Sequence, residues 1–118
     1  MRIEFYKDHS GCFKPVLYFR FEGQVWEAFD SLTPEQIEVI FSHLLKFDEA
    51  KTAMLILSKT FPGDKKAILR QFIECNWLEL DDHVDITECR LNYEYVPCPM
   101  RTAGTCPWHF SICQKKVH

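Results

Sequence analysis

Hydrophobic and polar positions change their period along this chain, and the changes mark the elements. Ile3 and Phe5 alternate with polar neighbours, Ser10-Gly11 supplies a turn, and Val16-Leu17-Tyr18-Phe19-Arg20-Phe21 is rich in aromatic and β-branched residues. Glu22-Gly23 then separates this run from a third short segment, Gln24 to Ala28, carrying Val25 and Trp26. The pattern predicts a small antiparallel meander over residues 1–30 whose apolar face packs on the helices downstream. From Leu32 the period becomes helical. Thr33 stands at an N-cap, Pro34 at N1 and Gln36 at N3, a capping box, and Leu32 opposes Ile37 as a hydrophobic staple. Ile37, Ile40, Phe41, Leu44 and Leu45 form one stripe of a helix over 34–46.

Asp48 is the expected cap of a second helix, whose middle, Ala53-Met54-Leu55-Ile56-Leu57, is apolar nearly all round and so reads as buried on several sides. Pro62-Gly63 stops it after Phe61. Asp64 caps a third helix with core positions Ile68, Leu69, Phe72 and Ile73, and Asn76 is its stop. Trp77-Leu78-Glu79-Leu80 and Val84-Asp85-Ile86 flank an Asp-rich turn and predict a hairpin. The fold class expected is α+β in one domain: a meander (1–30), a three-helix core with a hairpin wing (31–88), and a tail (89–118) with almost no helical or strand period.

Composition narrows the class. The chain has 118 residues, 47% of them hydrophobic and 14% aromatic, which suits one globular domain and not a disordered segment. The charged, alternating start is unlike a secretory signal, and no apolar run approaches bilayer length. A cytoplasmic location without membrane contact is expected, where thiols stay reduced and clustered cysteines more often bind metal.

The tail carries the only concentrated chemistry. Cys89, Cys98, Cys106 and Cys113 are spaced C-x8-C-x7-C-x6-C, with Pro99, Gly104 and Pro107 as bends. A structural Zn²⁺ on these four thiolates is the expectation, with His109 as an alternative ligand. The spacing lacks the close Cys-x2-Cys pair of most zinc sites, and it leaves an iron–sulfur cluster, unligated thiols and disulfides open. Cys89-x8-Cys98-x7-Cys106-x2-His109 is also similar to a Cys-Cys-Cys-His RNA-binding finger, although that family's last two spacings are five and three. A metal here would close the tail by burying Trp108, Phe110 and Ile112. Cys12 and Cys75 stand apart and read as ordinary buried or half-buried thiols.

Charge divides along the same line. The tail holds Arg90, Arg101, Lys115 and Lys116 against Glu94, a balance of +3. Of the chain's 14 Lys and Arg and 17 Asp and Glu, this leaves 10 and 16 upstream, a balance of −6. Such a body argues against broad binding of nucleic acid. Four thiolates on one Zn²⁺ would also reduce the tail's field to about +1.

Three helices and a hairpin, in that order, resemble a winged-helix domain. Ala67 through Leu80 looks like the end of a recognition helix entering a wing strand, and Leu32-Thr33-Pro34-Glu35-Gln36 resembles the opening of a LuxR-type helix-turn-helix. Cys98-Pro99, Gly104-Thr105-Cys106-Pro107 and Cys113 are similar to the tail of small bacterial regulators of mobile elements and phages. The resemblance spans residues 31–113. It implies a non-enzymatic, DNA-binding transcriptional regulator with recognition helix 64–75, whose Lys65, Lys66 and Arg70 contact phosphates or bases. Arg101, Lys115 and Lys116 would add contacts from the tail.

Against this stands an acidic wing of Glu79, Asp81, Asp82 and Asp85, which repels phosphate and favours the alternative, a protein-interaction module. The oligomeric state is left open, a homodimer included. No phosphate-binding Gly-rich loop, G-x-S-x-G turn, His-Glu-x-x-His helix or calcium loop occurs in the sequence. The five histidines are scattered, and His43 is expected on a polar or flanking side of the first helix.

Overall fold

The computed structural model describes residues 2–8, 16–77, 85–87, 91–93, 103–108 and 111–114. An antiparallel sheet of three strands, in the order β1 (Ile3–Asp8), β2 (Val16–Phe21) and β3 (Glu27–Ala28), precedes three helices. The architecture is α+β. In the β1–β2 register, Ile3 faces Phe21, Phe5 faces Phe19 and Lys7 faces Leu17. Cross-strand partners share a face, so one side of the sheet presents Ile3, Phe5, Leu17 and Phe19, each at most 1% exposed. The other side presents Glu4, Tyr6 and Asp8 opposite Arg20, Tyr18 and Val16. The expected turn at Ser10-Gly11 and the thiol of Cys12 lie outside the described residues.

The third strand is shorter than expected, because the turn after Phe21 runs through Gln24 and pairing starts only at Glu27; after Ala28 a 3₁₀ turn at Phe29–Ser31 takes the chain away from the sheet and buries Phe29 in the core. Helix α1 (Pro34–Leu44) starts as its sequence requires. Gln36 N–H donates to the Thr33 hydroxyl at 3.2 Å, and the Thr33 N–H donates to Gln36 Oε1 at 2.9 Å. It ends two residues before the predicted boundary, and Leu45 lies outside it with 41% of its surface exposed.

Helix α2 (Asp48–Thr60) corrects two expectations. Phe47, not Asp48, is its N-cap, and Asp48 sits in the first turn, where a carboxylate favours the positive end of the helix dipole. The helix is buried on one side only: Ala50, Ala53, Met54 and Leu57 face the core, while Leu55 is 60% exposed. Helix α3 (Lys65–Asn76) is capped by Asp64, whose Oδ1 accepts from Ala67 N–H at 3.1 Å, and it buries Ile68, Leu69, Phe72 and Ile73 as the stripe predicts.

Trp77, the C-cap of α3, is fully buried and stacks between Phe5 (5.5 Å between centroids) and Tyr93 (5.8 Å), joining sheet, helix and late chain in one core. Its indole N–H donates to Asn92 O at 2.8 Å.

Residues 78–84 of the expected hairpin lie outside the described residues. Ile86 pairs with Ile3 and with Leu91, so the chain after the helices returns to the edge of β1. There Asp85, 2% exposed, takes a strand's role with its side chain: its Oδ2 accepts the Phe5 N–H at 2.6 Å. Among the described residues, no helix is long and apolar enough to cross a membrane.

Candidate functional site

The predicted recognition helix points its cations at the protein itself. Lys65 Nζ lies 2.7 Å from Glu38 of α1 and 5.6 Å from the centre of the Phe41 ring. Lys66 Nζ donates to Asp30 O at 2.9 Å. Arg70 reaches Asp30 Oδ1 at 3.0 Å and Glu74 Oε1 at 3.5 Å, with its guanidinium 5.6 Å from the centre of the Phe29 ring. Glu74 also meets Lys7 of β1 at 3.5 Å. Four cations, Lys7, Lys65, Lys66 and Arg70, thus meet three carboxylates, Glu38, Asp30 and Glu74, with Lys66 on a backbone carbonyl, so most of the positive charge of this surface is offset within the protein. Exposed ion pairs of this kind are individually worth little, about 0–1 kcal/mol. Their effect is on the local field rather than on stability.

Trp108, Ile112 and Gln114 of the tail are tied to the helices by hydrogen bonds. Trp108 Nε1 donates to the Thr60 hydroxyl at 3.0 Å. Asn76, fully buried at the end of α3, donates from Nδ2 to Phe72 O at 2.9 Å and Ile112 O at 3.2 Å, and its Oδ1 accepts Gln114 N–H at 2.9 Å. Ile112 is buried, and Trp108 packs partly buried against the core. Of the expected ligands, Cys106 and Cys113 are described and half-buried. Cys89, Cys98 and His109 lie outside the described residues, as do Arg101, Lys115, Lys116 and Phe110. Among the described residues, no group of three or more His, Cys, Asp and Glu side chains is placed to hold a metal ion. Cys75, on α3, accepts a hydrogen bond from Gln71 Nε2 at 3.2 Å.

His43 departs from its expected polar or flanking position. It is 3% exposed, and its Nε2 stands 2.6 Å from Thr87 O; a carbonyl only accepts, so Nε2 carries the proton. The open depression of about 330 Å³ beside it on α1 is lined by Glu38, Val39, Ser42 and Lys46. Tyr93, whose hydroxyl donates to Glu49 Oε1 at 3.3 Å, has its pKa raised, first by burial and then by the Glu49 carboxylate.

A second grouping occupies the outward face of the sheet. Tyr6 and Tyr18 are cross-strand partners and stack at 5.2 Å with planes 15° apart. The Trp26 ring meets Tyr6 edge-on at 4.8 Å. The Arg20 guanidinium sits 4.4 Å from the centre of the Trp26 ring and donates to Glu4 Oε1 at 2.8 Å. All three aromatic side chains are half-buried. Arg2 and Glu22, 4.0 Å apart, extend the face around an open hollow of about 310 Å³. The Tyr6 pKa is raised, mainly by burial and then by Asp8 and Tyr18.

This face is legible in principle. Tyr6 and Tyr18 fall on the polar phase of strands whose other phase is buried, so each marks an aromatic ring turned away from the core. Comparison with known proteins adds no assignment: no protein-family model, curated protein or solved structure matches this chain.

Proposed function

We propose that this chain is a non-enzymatic interaction module that engages a protein partner through the outward face of its sheet. One observation carries the reading. Tyr6 and Tyr18 of β1 and β2 meet Trp26, which precedes β3, on the side of the sheet opposite its buried face, with Arg20 bonded to Glu4 and set against the Trp26 ring. Aromatic rings with an arginine at a surface are the side chains that dominate protein interfaces, because they supply large contact area at low conformational cost.

A winged-helix relationship belongs to the same proposal, on the order of three helices followed by a chain segment that returns to the sheet. As a DNA reader, such a domain would depend on Lys65, Lys66 and Arg70. Lys65 and Arg70 are paired with Glu38, Asp30 and Glu74, and Lys66 is bound to a backbone carbonyl, and this engagement of all three within the protein favours the use of the fold as a protein-docking module. The tail thiols Cys89, Cys98, Cys106 and Cys113, with His109 as alternative, are proposed as holders of a structural Zn²⁺ that closes the tail, in a cytoplasmic setting that keeps them reduced. Zn²⁺ would supply cross-linking there and no reaction.

Fluorescence anisotropy of labelled duplex DNA at low ionic strength tests the choice of partner. The module reading predicts no saturable binding. Binding that weakens steeply with added salt and is removed by Lys66→Glu with Arg70→Glu would overturn it in favour of a DNA reader.

A further inference from the structure

The outward face of the sheet also indicates the chemistry of the group it meets. We propose that it takes a cationic, arginine- or lysine-bearing segment of a partner protein, one side chain of which lies against the Tyr6–Tyr18 pair beside Asp8. This inference rests on the interaction-module reading.

The molecule contains its own example of the contact. Arg20 contacts both the Trp26 ring, 4.4 Å from its centre, and the Glu4 carboxylate at 2.8 Å. A ring beneath a guanidinium and a carboxylate beside it is the standard way a surface holds such a group, because the ring's negative face and the carboxylate both attract it. One step along the same strands, Tyr6, Tyr18 and Asp8 repeat the combination of ring and carboxylate. Asp8 is close enough to these rings for its charge to help hold the Tyr6 phenol protonated, after burial itself. Val16, opposite Asp8 and 42% exposed, gives the aliphatic stem of a lysine or arginine an apolar surface to lie on.

Charge selects among partners. Among the described residues of this face Glu4, Asp8 and Glu22 outnumber Arg2 and Arg20, and residues 1–88 as a whole carry a balance of −6. Stacked rings on a sheet could also receive the bases of a single-stranded nucleic acid. That mode needs a positive groove to follow the phosphates, and the field here has the opposite sign. A basic peptide is attracted by the same charges that repel a polynucleotide. A single exposed cation–π contact is worth about two- to five-fold in affinity. The partner is therefore a segment with several cationic residues, bound weakly and with strong dependence on salt.

The test is a titration of isotope-labelled full-length protein, followed by backbone and indole N–H resonances. Its probes are a short peptide of alternating arginine and serine, its glutamate–serine counterpart and an oligothymidylate. The arginine peptide is expected to shift the amides of Glu4–Asp8 and Val16–Arg20 and the Trp26 indole, the glutamate peptide to shift none of them, and salt to reverse the effect. Asp8→Lys, which leaves the core untouched, is expected to weaken the arginine peptide at least about five-fold; Trp26→Ala reports independently. Silence at the face, shifts centred on another surface, indifference to Asp8→Lys, or an equal response to oligothymidylate would overturn the inference. Silence with DNA binding also absent defeats the cationic partner and leaves the interaction module standing, whereas DNA binding through α3 defeats the module itself.

Discussion

The side chain of Asn76 accepts the backbone N–H of Gln114 at 2.9 Å, across a separation of 38 residues. With the bond from the same amide to Ile112 O, it grips the chain on both sides of Cys113. Asn76 is fully buried, so its own polar atoms depend on these partners. Asn76→Ala is expected to destabilise the protein by about 1–3 kcal/mol, since the part-buried Gln114 N–H loses its acceptor and Ile112 O keeps only the bond from Gln114 Nε2 at 3.1 Å. Denaturant melts give the loss, and hydrogen exchange should show protection at Gln114 falling before the α3 core opens. Asn76→Asp should fare no better, because a carboxylate cannot donate to Phe72 O or Ile112 O.

His43 joins α1 to the segment that returns to the sheet. Replacing it with leucine keeps much of the packing volume but leaves Thr87 O without the donor that now stands at 2.6 Å. The expected loss is about 1–3 kcal/mol, read from the shift of the unfolding midpoint at unchanged slope. A variant as stable as the parent would show that the contact contributes nothing to the fold.

Tyr93 gives the protein an alkaline limit. Burial and the neighbouring Glu49 carboxylate raise its pKa above the ordinary phenol value of about 10. The folded state therefore holds the proton more tightly than the unfolded chain does. This contribution is fully present below pH ~10 and is lost as pH rises beyond it. Stability measured across that range should fall, and Tyr93→Phe should flatten the slope. Difference absorbance of tyrosinate should show Tyr93 ionising together with unfolding and not before it.

The tail's thiols are expected to bind about one zinc per chain in protein purified without chelator, with four thiols shielded from alkylation until the metal is removed. Metal analysis and thiol counting decide this together. Fast reaction of every thiol in the folded protein would contradict it.

How far the sequence can be read depends on the range of the interactions involved. The caps at Thr33 and Asp64 and the core stripe of α3 are legible because each is decided within a few residues. The cap of α2 falls one residue before the expected Asp48, since carboxylates favour both the cap and the first turn. The continuous apolar run of α2 overstates its burial, because Leu55 looks out although its neighbours on either side along the chain pack inward or partly inward. The buried polar groups are not legible at all: Asp85 meets Phe5 and His43 meets Thr87 across 80 and 44 residues. The outward rings lie in plain view as a phase of the strand alternation, but their convergence with Trp26 depends on how the turn at Gly23, with φ of 77°, folds the chain back.

The claim that the sheet's outward face, and not α3, is the contact surface is tested most directly by site-specific photo-crosslinking in living cells. A benzophenone amino acid at Tyr18 preserves an aromatic ring at the face, and one at Lys66 reports on α3. The account predicts a discrete protein adduct from position 18 that Trp26→Ala removes, and none from position 66. A nucleic-acid adduct from position 66, with nothing from position 18, would contradict it.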